Sequence, residues 1–176
     1  APNPVVQAAR DAGVEIVGDV ELLVRAQSEA RYIGITGTNG KSTTTALVAH
    51  ILSESGMRVA VGGNLGQPVL SLEALEGTGI YVLEMSSYQL ELAPSAAFEI
   101  AVLLNLSPDH LDRHGGMDGY IAAKYRIFEQ QKPGGIAVVG VDDADCYKLF
   151  EKLTAEHSGE VVPISSADAT EGGIYA

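Results

Sequence analysis

Short, continuously apolar runs recur along the chain at residues 32–36, 58–61, 79–83, 100–104, 136–139 and 161–164. None alternates between apolar and polar positions, which is the pattern of strands covered on both faces, so a parallel sheet is expected. Between the runs lie stretches with helical spacing. One opens after Gly40, carries Leu47, Val48, Ile51 and Leu52, and ends near Gly56; others span residues 68–75, 118–131 and 143–153. Strands alternating with helices predict an α/β fold, a mostly parallel sheet with helices on both faces. Ahead of the first run, residues 4–12 read as a helix, 14–17 as a strand and 19–26 as a helix capped by Asp19. This opening unit, residues 1–30, reads as separate from residues 31–176.

The first run leads into Thr36-Gly37-Thr38-Asn39-Gly40-Lys41-Ser42-Thr43, and a helix follows. Strand, glycine loop and helix in that order read as a P-loop mononucleotide-binding site, the alternative being a glycine-rich turn with a solvent lysine. Gly37 and Gly40 let successive N–H groups point into one concavity at the positive end of the helix. Lys41 would reach the β- and γ-phosphates, and the Ser42 hydroxyl would be a Mg²⁺ ligand. The match to G-x-x-x-x-G-K-[ST] is incomplete, because Ile35 stands where the pattern has its first glycine. In a parallel sheet ligands gather at the carboxyl ends of strands. Asn64, Glu84 to Gln89 and Asn105 to His114 all follow apolar runs, so one site would collect them with the loop.

Composition narrows the partners. Of 176 residues, 23 are acidic and 11 basic, a formal net charge of −12 that repels a phosphodiester backbone, so nucleic acid is not an expected partner. No run approaches the roughly 18 apolar residues of a membrane span. One cysteine, Cys146, allows no internal disulfide, which with the absence of a cationic leader points to a reduced, cytoplasmic setting. The Ala-Pro start and the small, polar, glycine-bearing residues 165–176 suggest a chain cut from something longer.

Several side chains could carry chemistry. Glu84 ends an apolar run, where its carboxylate could hold Mg²⁺ or simply sit in a turn. Asp109-His110-Leu111-Asp112-Arg113-His114 is either a solvated loop or, because it follows a buried strand, part of the site; His110 and Asp109 are the candidates, with Arg113 and His114 as loop residues or anion contacts. Lys124 sits among Tyr120, Ile121, Ile127 and Phe128 on a helical stripe. It either snorkels to water or is buried with a lowered pKa, and a neutral amine could take up CO₂ as a carbamate. His50 and His157 read as surface residues. Cys146 follows Asp142, Asp143 and Asp145, which makes it a poor nucleophile. Ser86-Ser87 lacks a nucleophile-elbow motif.

The phosphate loop, Gly63-Asn64-Leu65-Gly66, Glu84-Met85-Ser86-Ser87-Tyr88-Gln89-Leu90, the segment from Asn105 to Arg113 and Tyr120-Ile121-Ala122-Ala123-Lys124 resemble, in order and spacing, the central domain of the Mur ligases. The Glu-x-Ser-Ser-Tyr-Gln-Leu segment is similar to the D-glutamate-adding branch. The resemblance implies an ATP- and Mg²⁺-dependent, cytoplasmic, monomeric amide ligase of peptidoglycan synthesis. It would join D-glutamate to UDP-N-acetylmuramoyl-L-alanine through an acyl phosphate. Gly37, Thr38, Asn39, Gly40, Lys41, Ser42 and Thr43 would hold the nucleotide, and Ser42, Glu84, His110 and Lys124 the metal. Asn64, Ser86, Gln89 and His110 would face the muramoyl substrate. Lys41, His110 and Lys124 would be catalytic, Lys124 as its carbamate. Residues 1–30 would then end a UDP-substrate domain and its linker. Residues 31–176 would be an ATP-binding domain incomplete at its C-terminal end, and the amino-acid-binding domain would be missing. Alone, the chain should bind Mg-ATP weakly and not turn over. A P-loop switch or motor would explain Lys41 and Glu84 but assigns nothing to Lys124 or His110, and a non-catalytic scaffold would differ only in lacking turnover.

Overall fold

Arg31–Thr36 forms the strand (β1) on which the sheet is built, because its side chains are apolar on both faces. Ile33 and Ile35 are buried on one side, Tyr32 on the other, and Gly34 leaves room for the Phe98 ring. The structure is a computed structural model and describes residues 3–64, 66–75, 77–129, 131–167 and 172–175. Leu65 of the Gly63–Gly66 motif, residue 130 of the expected helix 118–131, and residues 168–171 and 176 of the tail lie outside the described residues.

In chain order the elements are α1 (Pro4–Asp11), α2 (Asp19–Ala26), β1, α3 (Lys41–Glu54), β2 (Val59–Gly63), a 3-10 turn (Val69–Ser71), β3 (Ile80–Glu84) and α4 (Ser87–Glu91). Then come β4 (Ile100–Leu103), α5 (Leu111–His114), α6 (Met117–Glu129), β5 (Ile136–Gly140), α7 (Ala144–Glu156), β6 (Val161–Ser165) and β7 (Ile174–Tyr175). The seven strands lie in the order β2-β3-β1-β4-β5-β6-β7, and every neighbouring pair is parallel. The expected α/β fold is therefore present. One face of the sheet packs Ile33, Ile35, Ile80, Val82 and Val102 against Ala49 of α3. The other packs Tyr81, Leu83, Leu103 and Val139 with Tyr120, Ile127 and Phe128 of α6 and Cys146 and Leu153 of α7.

Several local expectations are corrected. Residues 14–17 are not a strand: no strand pairs with them and Val14 is exposed, and the segment is tied down instead by Val14 N donating to Ala9 O (2.9 Å), by Glu15 on Arg25 and, just beyond it, by Gly18 N donating to Leu92 O (2.7 Å). The cap of α2 is Gly18, with Asp19 as the first helical residue. Nor is α2 set apart from the sheet. Val20, Leu23 and Val24 are buried in its core, and the fully buried Glu21 carboxylate accepts from Ser95 N (2.8 Å) and Arg25 Nε (2.7 Å). The expected helix 68–75 shrinks to the 3-10 turn: Leu75 N, which a helix would pair with Ser71 O, donates to the Tyr81 hydroxyl (3.2 Å), and that hydroxyl donates to Glu73 O (2.8 Å). Three short elements, α4, α5 and β7, fall where the sequence suggested loop.

Candidate active site

The chain runs from β1 to β2 and β3 on one side, then crosses to β4 on the other, so the carboxyl ends of β1 and β4 flank a topological switch point. The loop from Gly37 to Gly40 lies there. Gly37 (φ 150°) passes so close to β4 that a Cβ would stand 3.1 Å from Leu104 Cβ, and Gly40 (φ 81°) opens α3 in a left-handed conformation. As N-cap, Gly40 brings no side-chain acceptor, which leaves the first-turn N–H groups of a 14-residue helix for an anion. The loop is held from β4 and α6. Asn39 N donates to Asn105 Oδ1 (2.8 Å), Asn105 Nδ2 donates to Asn39 O (3.1 Å), and Thr38 Oγ1 lies 3.1 Å from the Tyr120 hydroxyl and accepts from Ser107 N (3.0 Å). Lys41 Nζ donates to Thr38 O (2.8 Å), so its charge stands over the loop.

Glu84 ends β3 with only 2% of its surface exposed. Ser42 Oγ donates to its Oε2 (2.8 Å) and Asn64 Nδ2 to its Oε1 (3.0 Å). Mg²⁺ takes one or two protein oxygens beside substrate phosphates, and the hard oxygens of Ser42 and Glu84 suit it.

Lys124 does not snorkel. It is 2% exposed, and its Nζ donates to Gly37 O (2.8 Å) and Thr36 Oγ1 (3.3 Å). Burial, reinforced by the Lys41 charge, lowers its pKa to about 8, against an opposing pull from Asp109. The sign of the resulting pH dependence is fixed. From about pH 8 to 10.5 an unfolded chain holds the lysine proton while the folded one releases it, so stability rises with pH across that window. Chemical unfolding in CO₂-free buffer should show this rise in wild type and its disappearance in Lys124→Met.

Lys41, Asn64, Ser86, His110 and Lys124 line one cavity of about 110 Å³, together with Ser87, Tyr88, Asp109 and Tyr120. The His110 side chain is half-exposed, and its backbone sits at φ 50°, the left-handed region, with Asp109 Oδ2 3.5 Å from Nε2. Gln89 does not line the cavity. Its amide oxygen accepts from Ser86 N (3.1 Å) and Ser86 Oγ (3.0 Å) in a capping box that opens α4. Thr43 is exposed on the first turn of α3. On the other side of the loop a larger cavity, about 690 Å³, is bounded by Asn39, Gly40, Thr44, Leu104, Asn105 and Ile164.

Sequence reading passed over three features here. Asn105 and Tyr120 hold the loop, one having stood out only as part of a polar corner and the other only as part of an apolar stripe. His114, expected as a loop residue or anion contact, has a buried side chain bonded to Ser87. The spacing Ser86-x-x-Gln89 is a capping-box signature that could have revealed α4. Cys146 is buried and its thiol pushed up by that burial and by Asp143, consistent with an inert residue.

The sequence profile of the Mur ligase middle domain matches residues 35–173. Over 181 residues the chain is 52% identical to the UDP-N-acetylmuramoylalanine–D-glutamate ligase of Caulobacter vibrioides, covering 99% of this chain and 38% of that protein. The ligase of the same name from Rhodospirillum rubrum is 52% identical over 175 residues, with 99% and 37% covered. The chain thus spans well under half the length of these relatives. Among solved structures, a UDP-N-acetylmuramoyl-L-alanyl-D-glutamate–2,6-diaminopimelate ligase superposes with a TM-score of 0.67 at 30% identity, over 86% of this chain and 35% of that one. A MurF ligase from Thermotoga maritima in complex with ADP gives 0.63 at 26% identity, over 85% and 37%.

Proposed function

The chain belongs to the Mur ligases, and from that membership we propose that it is the nucleotide-binding part of a cytoplasmic enzyme that joins D-glutamate to UDP-N-acetylmuramoyl-L-alanine at the expense of ATP. The observation that carries the reading is the meeting of Lys41, Asn64, Ser86, His110 and Lys124 around one cavity, beside the Ser42–Glu84 pair. The relatives at 52% identity are named for D-glutamate addition, which supports that choice of amino acid.

In this reading the loop N–H groups and Lys41 hold the triphosphate, and the larger cavity beside Asn39 and Gly40 takes the nucleoside. Ser42 and Glu84 would hold Mg²⁺, which when bound neutralises phosphate charge. The L-alanine carboxylate of the substrate attacks the γ-phosphate to give an acyl phosphate and ADP. The D-glutamate amine then adds to the acyl carbon, and phosphate leaves from the tetrahedral adduct. Two anions must approach each other, so the protein's work is positioning and charge compensation. Lys41 and His110 supply positive charge or donors at the transferring group, and Asn64 and Ser86 orient the muramoyl moiety. Lys124, with its pKa lowered to about 8, gives up its proton more readily than an ordinary lysine, and the free amine would bond to CO₂ and lose a proton to give a carbamate anion, which would supply a further oxygen ligand for Mg²⁺.

The test is phosphate release by the full-length protein with Mg-ATP and UDP-N-acetylmuramoyl-L-alanine, comparing D-glutamate, L-lysine and no amino acid. Release that depends on D-glutamate is the expected result. ATP binding with no release under any condition would replace the ligase with a switch or scaffold.

A further inference from the structure

The two short helices beside the cavity come from different loops of the sheet, yet one buried side chain joins them. The side chain of His114, at the end of α5, is 1% exposed. Its Nε2 lies 3.0 Å from Ser87 Oγ, at the start of α4, and its Nδ1 lies 3.5 Å from Glu91 Oε1, at the end of α4. The Glu91 carboxylate favours the imidazole proton on Nδ1, which leaves Nε2 to accept from the Ser87 hydroxyl. The ring is also held between Tyr88 and Tyr120, with 5.5 Å between centroids in each case. Arg113 adds a second bond from α5 to Glu91, at 3.1 Å, and lies over the Tyr88 ring.

What this junction supports is the conformation of His110. That residue is the N-cap of α5 in the left-handed region, among the described residues the only non-glycine at positive φ, a conformation that is strained for an L-residue. Its carbonyl accepts from Arg113 N (3.0 Å) and His114 N (3.3 Å), and its ring meets the edge of Tyr88 at 5.4 Å. A turn this short has few bonds of its own to keep a strained residue in place. The anchor at its far end, His114 on α4, supplies what the turn lacks.

We infer that His114 is a positioning residue: through Ser87 and Glu91 it locks α5 onto α4 and so keeps the His110 ring over the cavity. This rests on the ligase reading above. His114 is not among the residues lining the cavity and acts through another residue. Ser87, His114 and Glu91 also have the order of a nucleophile, a base and its orienting carboxylate, but Ser87 is 2% exposed at the first position of a helix, a setting for a structural hydroxyl.

The experiment uses the full-length protein with His114→Phe, which keeps a ring and loses the Ser87 bond and the Glu91 contact, and His114→Gln, whose amide can still meet the Ser87 hydroxyl. For His114→Phe the expected result is a fall in kcat of about tenfold to a hundredfold, KM for ATP within about twofold and a cooperative melt that, though lowered by the unpaired Ser87 hydroxyl, stays well above the assay temperature. His114→Gln should recover most of the rate. In a His110→Ala background, His114→Phe should cost nothing further, because the two act as one unit. Full additivity of the two changes, a loss that tracks unfolding at the assay temperature, or covalent labelling of Ser87 by a fluorophosphonate would each overturn the inference. If the wild-type protein forms no amide, the ligase reading fails by itself. The clamp is then judged from the His110 imidazole resonances of the same protein: a shift in His114→Phe and not in His114→Gln supports it, and unchanged resonances overturn it.

Discussion

Lys124→Ala in the full-length protein is expected to lower amide formation by about two to three orders of magnitude, the usual cost of removing one charge-stabilising group from a water-excluded site. The folded state should survive, because the truncation removes a buried amine whose desolvation is unfavourable. Two readouts separate loss of a carbamate from loss of an ammonium. Added short-chain carboxylates such as formate or acetate should restore part of the rate, since a small anion can enter the space the side chain leaves. Lys124→Arg, which keeps a positive charge, should not restore it. Rescue by alkylamines with no response to carboxylates would show that the cation is the working form.

The second large effect is expected at Lys41. Lys41→Ala should reduce turnover by about three orders of magnitude, because the loop's own N–H groups supply only partial charges where Lys41 supplies a full one. Its contact with Thr38 O shows the ammonium already placed above the loop. A point charge on a flexible stem is what the geometry uses, so arginine is a poor substitute. Lys41→Ala has a further, measurable consequence. Its charge is one of the influences that lower the Lys124 pKa, so the pKa of Lys124 should rise when Lys41 is removed. Titration of lysine-selective NMR resonances would check this: an unmoved Lys124 would mean that burial alone sets its pKa.

Much of this was legible in the residues. Unbroken apolar runs specified buried parallel strands, and Gly37, Gly40, Lys41 and Ser42 specified the phosphate loop, because both signals are local. Lys124 stood out because an ammonium in an apolar stripe is costly wherever the stripe packs. Less legible was everything decided by a distant partner. Tyr81 takes Leu75 N, a donor the helix expected at 68–75 would have used, and nothing within that segment announces it. His114 looked like one more charge in a polar loop, and only the arrival of α4 buries it. The capping box at Ser86 and Gln89 was readable and overlooked, since five residues are too few for helical periodicity to show.

The bonds that shape the phosphate loop also bear on when it forms. Asn39 is held by Asn105, 66 residues on; Thr38 meets Tyr120 across 82 residues; and Gly37 O receives Lys124 across 87. Contacts of such sequence separation close late in folding, after the strands they hang from have paired. A growing chain that has emerged only as far as β2 carries the whole glycine-lysine-serine motif and none of the residues that hold it in shape. The nucleotide therefore cannot template the early steps of folding. Hydrogen exchange during refolding should find the amides of Thr38 and Asn39 protected after those of β1.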